Sequence, residues 1–99
     1  MKATVRDNPA ELRYELLDDD EIVGEIRYRR EPGAVALVHT DIDPAREGQG
    51  LGDVLVEGAL RDLRERGLRV IPVCPYVHAW LSRHPDYADL AVADPATPS

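Results

Sequence analysis

Glu47-Gly48-Gln49-Gly50-Leu51-Gly52 separates an apolar, strand-like segment at 34–40 from an amphipathic, helix-like one at 51–66. Glycines that alternate between a strand and a helix let the chain adopt conformations closed to other residues. They also bring backbone N–H groups close to an anion at the helix N-terminus, where the partial positive charge of the helix lies. The stretch points to a phosphate-bearing ligand or, in its plainest form, to a tight turn without one. Two nucleotide loops are excluded. A dinucleotide fingerprint, G-x-G-x-x-G, needs its third glycine one residue later than Gly52. A triphosphate loop needs Lys-Ser/Thr after the glycine, and here Asp53-Val54 follows.

Outward from the loop, the pattern is strand-rich on one side and helical on the other. Thr4-Val5-Arg6, Arg13-Tyr14-Glu15-Leu16-Leu17 and the run at 21–30 read as strands, punctuated by Asn8-Pro9, Asp18-Asp19-Asp20 and Glu31-Pro32-Gly33. Ala34-Val35-Ala36-Leu37-Val38 is apolar throughout, as in a central strand covered on both faces. Strict alternation would place Val35, Leu37 and His39 on one face and Ala36, Val38 and Thr40 on the other. After the loop, Leu51, Leu55, Val56, Ala59, Leu60 and Leu63 share one helix face, Glu57 and Arg61 form an i,i+4 pair, and Gly67 is placed as a C-terminal stop. Leu68-Arg69-Val70-Ile71-Pro72-Val73-Cys74 returns to strand character, completing a strand–helix–strand unit whose two strands should be parallel. Pro72 and Pro75 each remove a ladder donor, so this strand either lies at an edge or parts from its neighbour. The run at 76–83 reads as a short helix with Val77, Trp80 and Leu81 inward, ended by His84-Pro85. The Ala/Pro/Thr/Ser-rich tail at 91–99 is expected to be disordered, leaving one domain over 1–90.

Ninety-nine residues suit a single small core. No apolar run approaches the roughly 20 residues of a membrane-spanning helix, the first residues lack the apolar core of a signal peptide, and the one cysteine, Cys74, fits a reducing compartment. A cytoplasmic protein without membrane contact is expected. The net charge of −7 argues against nucleic-acid binding, which needs a basic face. It also means that an anionic ligand must be held by local donors against the global field, while a cationic, amine-bearing substrate would be attracted.

The order of four strands, glycine loop, helix, strand and helix resembles the GNAT acetyltransferase superfamily, whose pyrophosphate loop reads Arg/Gln-x-x-Gly-x-Gly/Ala. The match extends through His39-Thr40-Asp41-Ile42, the loop itself, Val70-Ile71-Pro72-Val73-Cys74-Pro75-Tyr76-Val77 and Arg83-His84-Pro85-Asp86-Tyr87, and it covers nearly the whole chain to Leu90. These segments look like the small single-domain GNAT-like proteins. The resemblance implies a mixed α/β (α+β) sheet, antiparallel in its N-terminal strands, then a parallel strand–helix–strand unit and a short C-terminal helix. It implies acetyl-CoA as cofactor: loop N–H groups would hold the pyrophosphate, and the pantetheine arm would enter where the fourth and fifth strands splay. Ile42, Gly48, Gln49, Gly50, Leu51, Gly52, Asp53 and Tyr76 would then contact it. Two departures stand out. Glu47 replaces the family's arginine or glutamine, and the tyrosine acid of an Asn-x-x-Ala-x-x-x-Tyr helix has no counterpart, Tyr76 coming too early. The chain is also short of the helices that usually build the acceptor wall.

Acetyl transfer to an amine needs a neutral amine, a polarised thioester carbonyl and a proton for the departing thiolate. Unpaired backbone near Val73 would supply the polarisation. Cys74 would lie near the thioester and act as nucleophile or as proton donor, with His39 close enough to take its proton. Against this stands the ordinary use of a free cysteine as a small buried hydrophobe. A zinc set of Cys74, His78 and His84 lacks metal-site spacing, and no metal is expected. Trp80 reads as core or as a wall of the acyl pocket. Arg46, Arg61 and Arg64 are candidates to reach the CoA phosphates, against the ordinary use of exposed helix arginines as solvated charges, and nothing in the sequence selects among them. The functional expectation is an acetyltransferase for an amine acceptor of unknown identity. The alternatives are an acyl-CoA-binding module without turnover, or an interaction domain that has lost the cofactor.

Overall fold

The computed structural model describes residues 3–93. Five strands form one sheet in sequence order: β1 (Ala3–Asn8), β2 (Arg13–Asp18), β3 (Glu21–Glu31), β4 (Ala34–Ile42) and β5 (Arg69–Pro72). The first four are antiparallel, and β4 and β5 are parallel, joined by α1 (Leu51–Glu65). A second helix, α2 (Pro75–Ser82), follows, and short 3-10 segments occupy Pro44–Arg46 and Pro85–Leu90. The mixed sheet with its parallel β4–α1–β5 unit is the architecture expected from the sequence.

The turns follow from their residues. Asp19 sits at φ 54 in the β2–β3 connection, a conformation that aspartate tolerates, and Pro32-Gly33 closes β3 onto β4 with Gly33 at φ 70. At the end of α1, Gly67 donates to the Arg64 carbonyl and Leu68 to the Leu63 carbonyl, the Schellman pattern that a C-terminal glycine makes possible. The predicted apolar face of α1 is buried in full and joins Tyr14, Leu16, Ile26, Tyr28, Val35 and Leu37 of the sheet in one core. Val77, Trp80, Leu81, Tyr87 and Leu90 enter the same core from α2 and the last turn.

Two irregularities shape the end of the sheet that meets the glycine loop. The first is a β-bulge in β4. Leu37 pairs with Tyr28 and His39 with Arg27, so Val38 is an extra residue. The bulge corrects the strict alternation expected over 35–40. Thr40 and Ile42, not His39, continue the core face of Val35 and Leu37, and His39 and Asp41 turn to the outer face. The second is the end of β5. Its ladder with β4 runs only from Ala34↔Arg69 to Leu37↔Pro72. Pro72 has no donor, Val73 N–H turns back onto the Ile71 carbonyl at 3.0 Å, and Cys74 N–H makes the last bond to β4, on the Leu37 carbonyl at 2.8 Å. Beyond Leu37, β4 runs on to Ile42 with β3 as its one strand partner. β5 is thus both the last strand and a strand that parts from its neighbour.

Boundaries differ modestly from expectation. β1 and β4 are longer than the apolar runs that marked them, because the ladder continues through polar residues, and β5 is shorter because of Pro72. Ala91 pairs with Val70, and Val92 donates to the Val70 carbonyl at 2.8 Å, so the chain after Leu90 is tied to β5 over its first residues. The expected disorder further along the tail falls on 94–99, outside the described residues.

Candidate functional site

The loop expected to hold phosphate is built to leave donors open. Gly48 and Gly50 lie at φ 83 and φ 74, where a Cβ would strain the backbone. Gly50 is the N-cap of α1 and offers no side chain to the first-turn N–H groups, which have no carbonyl within the helix to bond. The helix therefore presents unsatisfied donors at its positive end, the condition for anion binding. At Gly52 the requirement is space: a Cβ there would lie 2.3 Å from the Tyr76 hydroxyl.

Loop and fork open into one cleft of about 370 Å³. Thr40, Asp41 and Ile42 of the unpaired end of β4 form one wall, Glu47, Gly48, Gly50, Leu51 and Gly52 the loop side, and Tyr76 and Arg46 complete it. Tyr76 lies across the start of α1, its hydroxyl 3.5 Å from Asp53 Oδ1. Burial first, and then the nearby Asp53 carboxylate, push its phenol above the usual tyrosine range, so it is a proton-bearing donor at neutral pH.

Of the residues expected at the cofactor, Ile42, Gly48, Gly50, Leu51, Gly52 and Tyr76 line this cleft, while Gln49 and Asp53 flank it. The two expected catalytic residues are not brought together. His39 is exposed on the outer sheet face, its Nε2 2.9 Å from Asp41 Oδ2. Cys74 is 4% exposed, in the core at the base of the fork. Its sulfur contacts Thr40 Oγ1 at 3.3 Å instead. The bulge at Val38 is the physical reason: one inserted residue exchanges the histidine for the threonine. Thr40 therefore stands between the buried thiol and the cleft, a position that no residue pattern announced. The backbone at Val73 does not offer the expected free donor, since that N–H is bonded to Ile71.

The remaining candidates sort by place. Trp80 stacks on His84 with centroids 3.6 Å apart, tilts against Tyr87 and belongs to the core rather than to the cleft. His84 Nδ1 donates to the Trp80 carbonyl at 2.7 Å, and His78 is exposed. Arg64 bonds the Asp86 carbonyl and the Asp89 carboxylate, and Arg61 pairs with Glu57. Arg46 alone of the three arginines lines the cleft, and it is ion-paired with Asp18 and with Glu21, the latter at 3.3 Å. No helix among the described residues is long and apolar enough to cross a membrane.

Comparison with known proteins agrees with this geometry. Residues 13–90 match the family model for GCN5-related N-acetyl-transferases. A GCN5-like protein of Staphylococcus aureus, solved in solution by NMR, superposes with a TM-score of 0.69 at 22% identity, over 94% of this chain and 91% of that one. The crystal structure of the ribosomal-protein-S18-alanine N-acetyltransferase of Escherichia coli gives a TM-score of 0.59 at 19% identity over 73% of this chain; the match spans 50% of that longer enzyme. At these identities the likeness is one of fold. No curated protein sequence matches the chain significantly. With the family model covering most of its length, and with the sheet, the forked strands and the glycine loop in place, the chain belongs to the GCN5-related N-acetyltransferase family.

Proposed function

We propose that this chain binds acetyl-CoA in the cleft between loop and fork and transfers the acetyl group to an amine. The observation that carries the reading is the joining, in one cleft, of an uncapped helix N-terminus with a parted strand pair. The first fits a pyrophosphate, through N–H groups of residues 48–53. The second fits an extended arm, because β4 beyond Leu37 has an open edge toward β5. Acetyl-CoA supplies the activated acyl group. The chain's residues orient it and handle protons.

In this reading the amine nitrogen attacks the acetyl carbon, the C–S bond of the thioester breaks, and the thiolate that leaves needs a proton. Thr40 faces the cleft and touches the Cys74 sulfur, so its hydroxyl hands a proton to the thiolate and takes one from the thiol, and the proton that the acylated nitrogen sheds into the cleft returns to Cys74 through the same hydroxyl. A 4% exposed Cys74 beneath Thr40 fits this donor role better than direct attack by its sulfur. Asp41 and Glu47 at the rim favour a cationic acceptor, consistent with the net charge of −7. His39, on the opposite face, takes no part in this step. The domain is taken as residues 1–90 and the setting as cytoplasmic.

The test is release of free CoA from acetyl-CoA across a panel of amines. Amine-dependent release that falls about tenfold or more in Cys74→Ala and in Thr40→Val is expected. Full activity in Cys74→Ala removes the thiol from the reaction, and an acetyl group found on Cys74 by mass spectrometry makes the thiol the nucleophile. The burial of Cys74 also favours a second reading, an acyl-CoA-binding module without turnover. Binding of acetyl-CoA without amine-dependent release would establish that reading instead.

A further inference from the structure

We propose that Arg46 is the cation that receives the cofactor's phosphates, and that Asp18 at the β2–β3 turn competes with the cofactor for it. The inference rests on the acetyl-CoA reading above. It begins from charge. Among the residues lining the cleft, Asp41 turns its carboxylate to the outer face, Glu47 is the other acidic residue, and Arg46 is the basic one. Backbone donors of the loop are neutral dipoles, so a polyphosphate placed there by those donors alone would face the Glu47 carboxylate and the field of a chain with net charge −7. A guanidinium at the cleft wall changes the sign of that balance, and its planar fork matches phosphate oxygens in pairs.

Glu47 occupies the loop position where a cation or amide would be expected, and Arg46 precedes it directly, in the 3-10 turn Pro44–Arg46. The cation has moved by one residue. That turn is itself held: Asp43 caps it through a 3.0 Å bond to Ala45 N–H, and Asp43 N–H bonds the Val23 carbonyl at 2.8 Å. The backbone that carries Arg46 is therefore anchored to β3, which leaves the side chain as the part that can exchange partners.

Its present partners differ in strength. The Asp18 side chain is 18% exposed and bonds the guanidinium at Nη1, while Glu21, 65% exposed, reaches Nη2 at 3.3 Å. Screening by solvent makes the second pair weak and the first the real competitor. A phosphate that draws Arg46 toward the loop leaves Asp18 half-buried without its cation, and that loss opposes binding. Neutralising Asp18 removes the opposition. Removing the guanidinium removes the attraction. A ligand without phosphates feels neither change.

Calorimetric titration with CoA and with pantetheine, at low and at moderate salt, tests this. Arg46→Gln is expected to weaken CoA about tenfold or more and to leave pantetheine unchanged. Asp18→Asn is expected to tighten CoA several-fold, and the double variant to bind as Arg46→Gln does. Arg46→Lys is expected to recover part of the affinity. Equal CoA affinity in wild type and Arg46→Gln, or equal loss for CoA and pantetheine, would overturn the phosphate role. Weaker CoA binding in Asp18→Asn would overturn the competition, making Asp18 an orienting partner instead. Wild-type protein that binds neither ligand would remove the acetyl-CoA reading itself, a different result from tight CoA binding indifferent to Arg46.

Discussion

Gly52 shows how a single position carries two demands. It is part of the glycine loop, yet its φ is not positive, and what it needs is room for Tyr76, whose hydroxyl would meet an added Cβ at 2.3 Å. Tyr76 is half-exposed and can swing, so Gly52→Ala should fold, with stability within about 1 kcal/mol of wild type because alanine also favours the helix. It should nonetheless bind acetyl-CoA several-fold more weakly, since the phenol would be pushed from the cleft wall. Thermal unfolding beside calorimetry checks both halves, and a stability loss without an affinity loss would place the constraint in packing alone. The loop glycines were legible from their alternation. Thr40 was not, because its direction depends on one bulged residue, and a bulge in an apolar strand leaves no mark on composition or periodicity.

At the scale of elements, helix α1 was legible from end to end: its buried face, its uncapped start and its glycine stop follow from apolar spacing and from Gly50 and Gly67. Its seat on β1 was not. Gly58 faces Val5, and an added Cβ would lie 2.7 Å from the Val5 Cβ, an atom that cannot move without its strand. Gly58→Ala should therefore lift α1 from β1 and destabilise by about 1–3 kcal/mol, despite alanine's better helix propensity. Denaturant unfolding measures it, and neutral or greater stability would contradict the close approach. The parting of β4 and β5 was half-legible. Pro72 and Pro75 announced a broken ladder, but the choice between an edge and a fork needed the register, and both proved true. The parallel direction of β4 and β5 likewise followed from the strand–helix–strand connection, whereas the order of the five strands came from the structure.

Across the whole molecule, the helices pack on one sheet face and leave the other to a ladder of charges. Arg6, Arg13 and Asn8 converge on Glu15, which is fully buried, and Arg13 and Arg27 share Glu25. Burial alone would raise the Glu15 pKa, but the three hydrogen bonds outweigh it and hold the carboxylate at about 2. An unfolded glutamate titrates near ~4.3. The folded state thus binds this proton more weakly, so the contribution is complete above about pH 4.3 and is lost as pH falls toward 2. Glu15→Gln should lower stability at neutral pH by about 1–3 kcal/mol and flatten the acid limb of the stability curve in that window. An unchanged acid limb would show that Glu15 is not the group lost.

The central claim is that the loop and the fork together form a single acetyl-CoA site, and it is tested most directly by titrating isotope-labelled protein with acetyl-CoA and following the backbone amides by NMR. Saturable shifts concentrated at residues 48–53 and 40–42, with Tyr76, are the predicted result. Shifts confined to the outer sheet face around His39, or no saturable shifts at millimolar acetyl-CoA, would contradict it.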